Sequence, residues 1–125
     1  MEILEGRTCV LAALQARRRS FEQILVRQGT KDDSIREIVA AAAALGVPVR
    51  KVRAEALDAR SHGKTHGGIL AFASPLPTAC LPEALDFALL LDGVDDARDL
   101  GQVLRSAEAF GVQVVLLRRR AWDFD

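Results

Sequence analysis

Little in this chain is extreme. Its 125 residues include two cysteines, Cys9 and Cys80. They form no Cys-x-x-Cys pair and stand beside no cluster of ligand-type residues, so no zinc or other metal site is expected. Free thiols buried in a protein of the reducing cytosol are expected instead of a disulfide. Net charge is missing as well, because 17 Lys and Arg face 17 Asp and Glu. That balance argues against a uniformly basic nucleic-acid binder. No apolar run is long enough to cross a bilayer, no secretory leader pattern opens the chain, and there is no internal repeat. The expectation is a cytoplasmic protein without membrane attachment. What is present is a hydrophobic half of the sequence, sufficient for a packed core. The length suits one domain, or a small domain with part of another. The charge is unevenly placed. Residues 1–73 carry twelve Lys or Arg against eight Asp or Glu, and residues 74–125 carry five against nine. The basic first part can meet a polyanion, although ordinary scatter explains so small an excess equally well.

Local patterns divide the chain into elements. Thr8 can cap a helix to about Arg17 with Val10, Leu11 and Leu14 on one face, and Arg17-Arg18-Arg19 closes it where cations suit the dipole. Gln23 to Val26 reads as a strand. Asp32, Asp33 and Ser34 open a helix whose stripe is Ile35, Ile38, Val39, Ala42 and Leu45, with Gly46 after its end. Val47 to Val49 and Val52 suggest a strand that Pro48 restricts to an edge or a strand start. A short helix over Ala54–Ala59, a glycine-rich loop over Ser61–Gly68 and a strand over Ile69–Ala73 follow. Ser74-Pro75-Leu76-Pro77-Thr78 reads as a stiff linker. Pro82 suits the first turn of a helix around Glu83–Asp86. Phe87–Leu91, a helix through Leu100, Val103, Leu104 and Ala107, and Val112–Leu117 make a parallel strand–helix–strand crossover. The fold class is therefore α/β. Ligands of such units sit at the carboxyl ends of the strands, so the loop from Asp92 to Asp99 is the place for chemistry.

Each candidate has a plainer alternative. Asp92, Asp95, Asp96 and Asp99 could hold magnesium in a receiver-like or phosphatase-like domain. Turn chemistry and helix capping account for them more simply. Arg105 could grip a phosphate or steady developing negative charge. A solvated arginine paired with Glu108 is the simpler reading. His62, Lys64 and His66 share a loop with three glycines, where backbone can approach phosphate, or the loop is merely a polar surface loop. Trp122 and Phe124 could stack on bases or serve as core residues.

Leu91-Asp92-Gly93-Val94-Asp95-Asp96-Ala97-Arg98-Asp99-Leu100-Gly101, followed by Arg105-Ser106-Ala107-Glu108-Ala109-Phe110-Gly111, resembles the first motif of the SpoU-type RNA 2′-O-ribose methyltransferases of the trefoil-knot class. Glu5-Gly6-Arg7 before a helix and His66-Gly67-Gly68-Ile69 before a strand are similar to landmarks of that family's small RNA-substrate-binding domain. The resemblance spans nearly the whole chain. It implies a small α/β sandwich RNA-binding domain over residues 1–73 and a linker over 74–84. From residue 85 to 125 it implies the first strand–helix–strand unit of a knotted, Rossmann-like methyltransferase domain. It implies Arg105 and Asp99 as catalytic positions, with Arg105 beside the ribose 2′-hydroxyl and its phosphate. Asp99 stands where the family usually has asparagine, and Gly68 where relatives often have glutamine. Ribosomal or transfer RNA is the implied partner, S-adenosylmethionine the methyl donor, and a homodimer the full-length state. The chain stops before the motifs that form the family's cofactor pocket, so this length alone is expected neither to bind the donor nor to methylate RNA. A non-catalytic RNA-binding module remains open beside the enzyme. In that reading Arg7, Arg17, Arg18, Arg19, Lys64 and His66 carry the affinity through phosphates.

Overall fold

The computed structural model describes residues 1–63, 66–77 and 80–118. Lys64, Trp122 and Phe124 lie outside the described residues. The chain forms two compact units, Met1–Pro77 and Thr78–Asp125, divided within the segment read as the linker.

The first unit runs β1 Glu2–Glu5, α1 Arg7–Ala16, β2 Phe21–Arg27, a 3₁₀ turn Asp32–Ile35, α2 Arg36–Ala44, β3 Val49–Val52, α3 Ala54–Asp58 and β4 Ile69–Ala73. The sheet order is β1-β4-β2-β3. β4 is antiparallel to both of its neighbours, and β2 and β3 are parallel. Alternation along β2 and β4 supplies two faces. Ile24, Val26, Ile69 and Ala71 pack against α1 (Val10, Leu14) and against Ile35, Ile38 and Ala42. Leu25 and Leu70 turn to the other face, where the five-residue α3 covers them with Leu57. Leu57 is fully buried.

Local chemistry sets the boundaries. α2 ends in a Schellman arrangement, with Gly46 N–H donating to Ala43 O (3.1 Å) and Val47 N–H to Ala42 O (2.9 Å). Gly46 has φ +68° there. β3 is an edge strand that starts just after Pro48, so the missing N–H costs no ladder bond.

Several expectations need correction. β1 was not foreseen, because Glu2 and Glu5 bracket only two apolar residues and leave too short an alternation to detect. The first helix starts after Gly6, with no side-chain cap from Thr8, although it ends where expected, at Ala16 with Arg17 as its C-cap. Val39 and Leu45 are exposed and do not belong to the α2 stripe. No helix forms around Glu83–Asp86, since one short turn cannot offset the cost of helix nucleation. Both cysteines are free, as expected, but exposed instead of buried.

The second unit is β5 Ala88–Leu91, α4 Ala97–Ala109 and β6 Val114–Leu117, with β5 and β6 parallel. Asp96 caps α4. Its carboxylate accepts from Arg98 N (2.7 Å) and Asp99 N (3.3 Å). Gly111 closes the helix with the same Schellman pattern, donating to Glu108 O (3.0 Å) while Val112 N–H reaches Ala107 O (2.9 Å). Leu100 and Ala107 form the buried face of α4. Leu90, on β5, stays 73% exposed.

Candidate functional site

In the first unit β1, β2 and β3 all finish at one end of the sheet, where β4 begins. Gly6, with φ +87° and ψ 153°, turns the chain from β1 into α1, a conformation that a Cβ disfavours. Its N–H donates to Ile69 O (3.2 Å). Arg7 is exposed at the first helical position. It borders a hollow of about 460 Å³ shared with Thr8, Leu11, Gln15, Asp33 and Ile38. The Glu5 carboxylate accepts from the backbone N–H of His62 (2.5 Å). Glu5-Gly6-Arg7 and the loop that follows α3, about sixty residues apart in sequence, are thus one place in space.

His66 anchors this place from beneath. It is 8% exposed. Gly68 N–H donates to its Nδ1 (3.1 Å), and Nε2 lies 2.8 Å from Asp58 Oδ1. An Nδ1 that accepts carries no proton, so the geometry assigns a neutral ring that donates from Nε2 to Asp58. Gly67 and Gly68 have φ of +55° and +81°. A Cβ at Gly68 would lie 3.4 Å from the Cβ of Arg27. Glycine at this position matches the positive φ of the backbone, while the neighbour would allow ordinary contact. Gly68 O accepts from Arg27 N (2.8 Å), which locks the turn to β2.

The candidate RNA contacts do not converge. Arg17, Arg18 and Arg19 follow the far end of α1, about 15 Å from Arg7 at 1.5 Å per helical residue. Arg19 is committed elsewhere. It pairs with Glu2, and both side chains are under one fifth exposed. It also donates to Ser74 O (2.9 Å), tying together the start of β1, the start of β2 and the end of β4. This removes Arg19 from the expected phosphate-binding surface. His66 is likewise a buried anchor and not an exposed contact. Arg17 and Arg18 are exposed, and Arg17 caps α1 in the left-handed conformation.

In the second unit Arg105 is exposed about two turns into α4, away from Leu100 and Ala107. The pair with Glu108 does not form among the described residues. Asp99 and Arg105 are six positions apart, so they diverge by about 120° around the helix and about 9 Å along it. Among the described residues no group of three or more His, Cys, Asp or Glu could hold a metal ion. Asp96 caps α4, which is the role the simpler reading of the aspartate loop gives it.

Sequence reasoning passed over Arg27, although a cation closing the apolar run Ile24–Val26 marks the strand end. Cys9 is exposed over the residue as a whole, yet crowding around its sulfur raises the thiol pKa above its ordinary value. The charge of Arg19 and a backbone hydrogen bond at Glu5 oppose this less strongly. The local crowding, not the whole-residue exposure, governs the thiol.

Comparison with known proteins agrees with this architecture. Residues 3–79 match the family model described as RNA 2'-O ribose methyltransferase substrate binding. The chain is 32% identical over 124 residues to the 23S rRNA (guanosine-2'-O-)-methyltransferase RlmB of Salmonella typhimurium, covering 93% of this chain and 51% of that protein. It is 35% identical over 131 residues to the human mitochondrial rRNA methyltransferase 1, covering 96% of this chain and 37% of that protein. A crystal structure of an RNA 2'-O ribose methyltransferase superposes with a TM-score of 0.65 at 28% identity, over 95% of this chain and 45% of that one. The chain spans about half the length of the bacterial relatives it matches.

Proposed function

Because this chain belongs to the RNA 2'-O ribose methyltransferase substrate-binding family, we propose that it presents ribosomal RNA for methylation of a ribose 2′-hydroxyl, with S-adenosylmethionine as donor. The observation that carries the reading is the convergence of Glu5-Gly6-Arg7 with the His66-Gly67-Gly68 turn, two parts of the matched segment. In this reading the first unit holds RNA, and transfer RNA is a second substrate class. The second unit contributes Arg105, whose guanidinium steadies the ribose phosphate and favours the ionised form of the 2′-hydroxyl. Asp99 sits in the first turn of α4, where its charge suits the helix dipole. The divergence of the two side chains supports Arg105 alone at the reacting oxygen.

S-adenosylmethionine would supply an activated methyl group. The described residues do not enclose it. The hollow of the second unit, about 390 Å³, is lined by Phe87, Leu89, Val103 and Phe110, with Gln102 and Ser106 as its polar side chains. It has no charged group to meet the donor's ammonium or carboxylate. A homodimer acting in the cytoplasm completes the reading. The exposed apolar Leu90 offers surface to a second copy, and among the described residues no helix is long and apolar enough to cross a membrane.

The test is fluorescence anisotropy of a labelled ribosomal RNA stem-loop titrated with this chain. Saturable binding that weakens steeply with salt is expected. No binding at about 50 mM salt, where phosphate contacts are strong, would refute the RNA-binding role.

A further inference from the structure

We propose that Arg7, Arg27 and Arg53 form a phosphate track across the carboxyl end of the first unit's sheet, straddling the Gly67–Gly68 turn. The inference rests on the RNA-binding reading and says which surface serves it. The sheet order puts β1, β4, β2 and β3 side by side. Arg7 follows β1, Arg27 ends β2 and Arg53 follows β3. Arg27 pairs in register with Val52, and Gln28 N–H reaches Val52 O (2.7 Å), so Arg27 and Arg53 are one strand apart. Arg7 is two strands from Arg27 by way of β4. At about 4.8 Å per strand the three backbones span about 15 Å.

Their charges are available. All three side chains belong to exposed residues, and none has an ion pair among the described residues. Four other cations of this unit are occupied, while Arg17, Arg18, Lys31 and Arg50 carry no ion pair among the described residues. Lys51 holds Asp32 at 2.9 Å, Arg36 holds Asp33, Arg19 holds Glu2, and Arg60 donates to Ala56 O. Of the nearby carboxylates, Glu5 and Asp58 are turned to His62 and His66, and Asp33, which borders the Arg7 hollow together with Glu37, holds Arg36. Between Arg7 and Arg27 the exposed backbone is that of Gly67, while Gly68 is buried beside the Arg27 side chain and its N–H is held by His66. A sugar–phosphate strand can lie close to such a backbone while guanidinium groups on either side bind its phosphates. The ligand is the RNA backbone itself, contacted without reading bases.

Anisotropy titrations with a fluorescein-labelled 20-nucleotide oligouridylate test this on the full chain. Removing one phosphate contact from a single strand should flatten the plot of log K against log salt by about 0.7. Arg7→Ala, Arg27→Ala and Arg53→Ala should each show that change, and the triple variant about 2. The triple Arg→Lys variant keeps the charges and should keep most of the slope. Circular dichroism confirms that the variants fold. Arg17→Ala with Arg18→Ala, at the opposite end, should leave affinity within about twofold of the parent, since they touch no phosphate in this account. If that double variant weakens binding while the track variants do not, the track is overturned and RNA binding itself stands. If the parent chain fails to bind, the RNA-binding reading falls too.

Discussion

Replacing His66 probes how the glycine turn is held. Gly68 is buried, and its N–H has the His66 Nδ1 as acceptor. His66→Ala leaves that donor without a partner, at a cost of about 1–3 kcal/mol. The local opening equilibrium of the turn should then rise about 5- to 150-fold, at 1.4 kcal/mol per factor of ten. Amide hydrogen exchange by NMR reads this directly at Gly68. Two further variants separate the two bonds of the ring. His66→Asn places a carbonyl oxygen near the former Nδ1 and should keep much of the Gly68 protection. His66→Gln reaches towards Asp58 and should not. Gly68 exchange in His66→Ala within about threefold of the parent, well under a typical buried hydrogen bond, would refute the argument. So would a glutamine variant that protects Gly68 better than the asparagine one.

Other consequences follow from the same packing. Arg19→Ala strands a mostly buried Glu2 and the Ser74 carbonyl, and urea unfolding should show a loss of about 2–3 kcal/mol; a loss below about 0.5 kcal/mol would equate it with a surface pair. Leu57→Ala opens a cavity under the one helix on its face and should cost about 3 kcal/mol in the same assay, whereas a change under about 1 kcal/mol would mean that the site collapses to fill the space. In a Cys80→Ser background, the pH–rate midpoint for alkylation of Cys9 should lie above that of an ordinary thiol, because burial disfavours the thiolate. A midpoint at or below the ordinary value would contradict the crowding described around its sulfur.

The elements legible in the sequence are those whose signal is local. Val10 and Leu14 are four apart on one helix face, Gly46 and Gly111 mark helix ends, and Ile69–Ala73 is an unbroken aliphatic run. β1 escaped because its stability comes from pairing with β4, which lies almost seventy residues away. The helix around Glu83–Asp86 failed for the opposite reason, since a favourable proline start carried too few residues after it. The same distinction governs the site. Glu5-Gly6-Arg7 and His66-Gly67-Gly68 could be picked out as landmarks by resemblance, but their contact is tertiary. Which arginines remain free depends on partners such as Glu2, 17 positions from Arg19. No local pattern shows that Arg19 is spent while Arg27 is available.

The central claim is that the carboxyl end of the first unit's sheet meets RNA. Two-dimensional amide NMR of the chain, titrated with the oligouridylate, tests it most directly. The account predicts the largest shifts at Gly6, Arg7, Arg27, Gln28, Arg53 and Gly67–Ile69. Shifts concentrated instead at Arg17–Ser20 would contradict it.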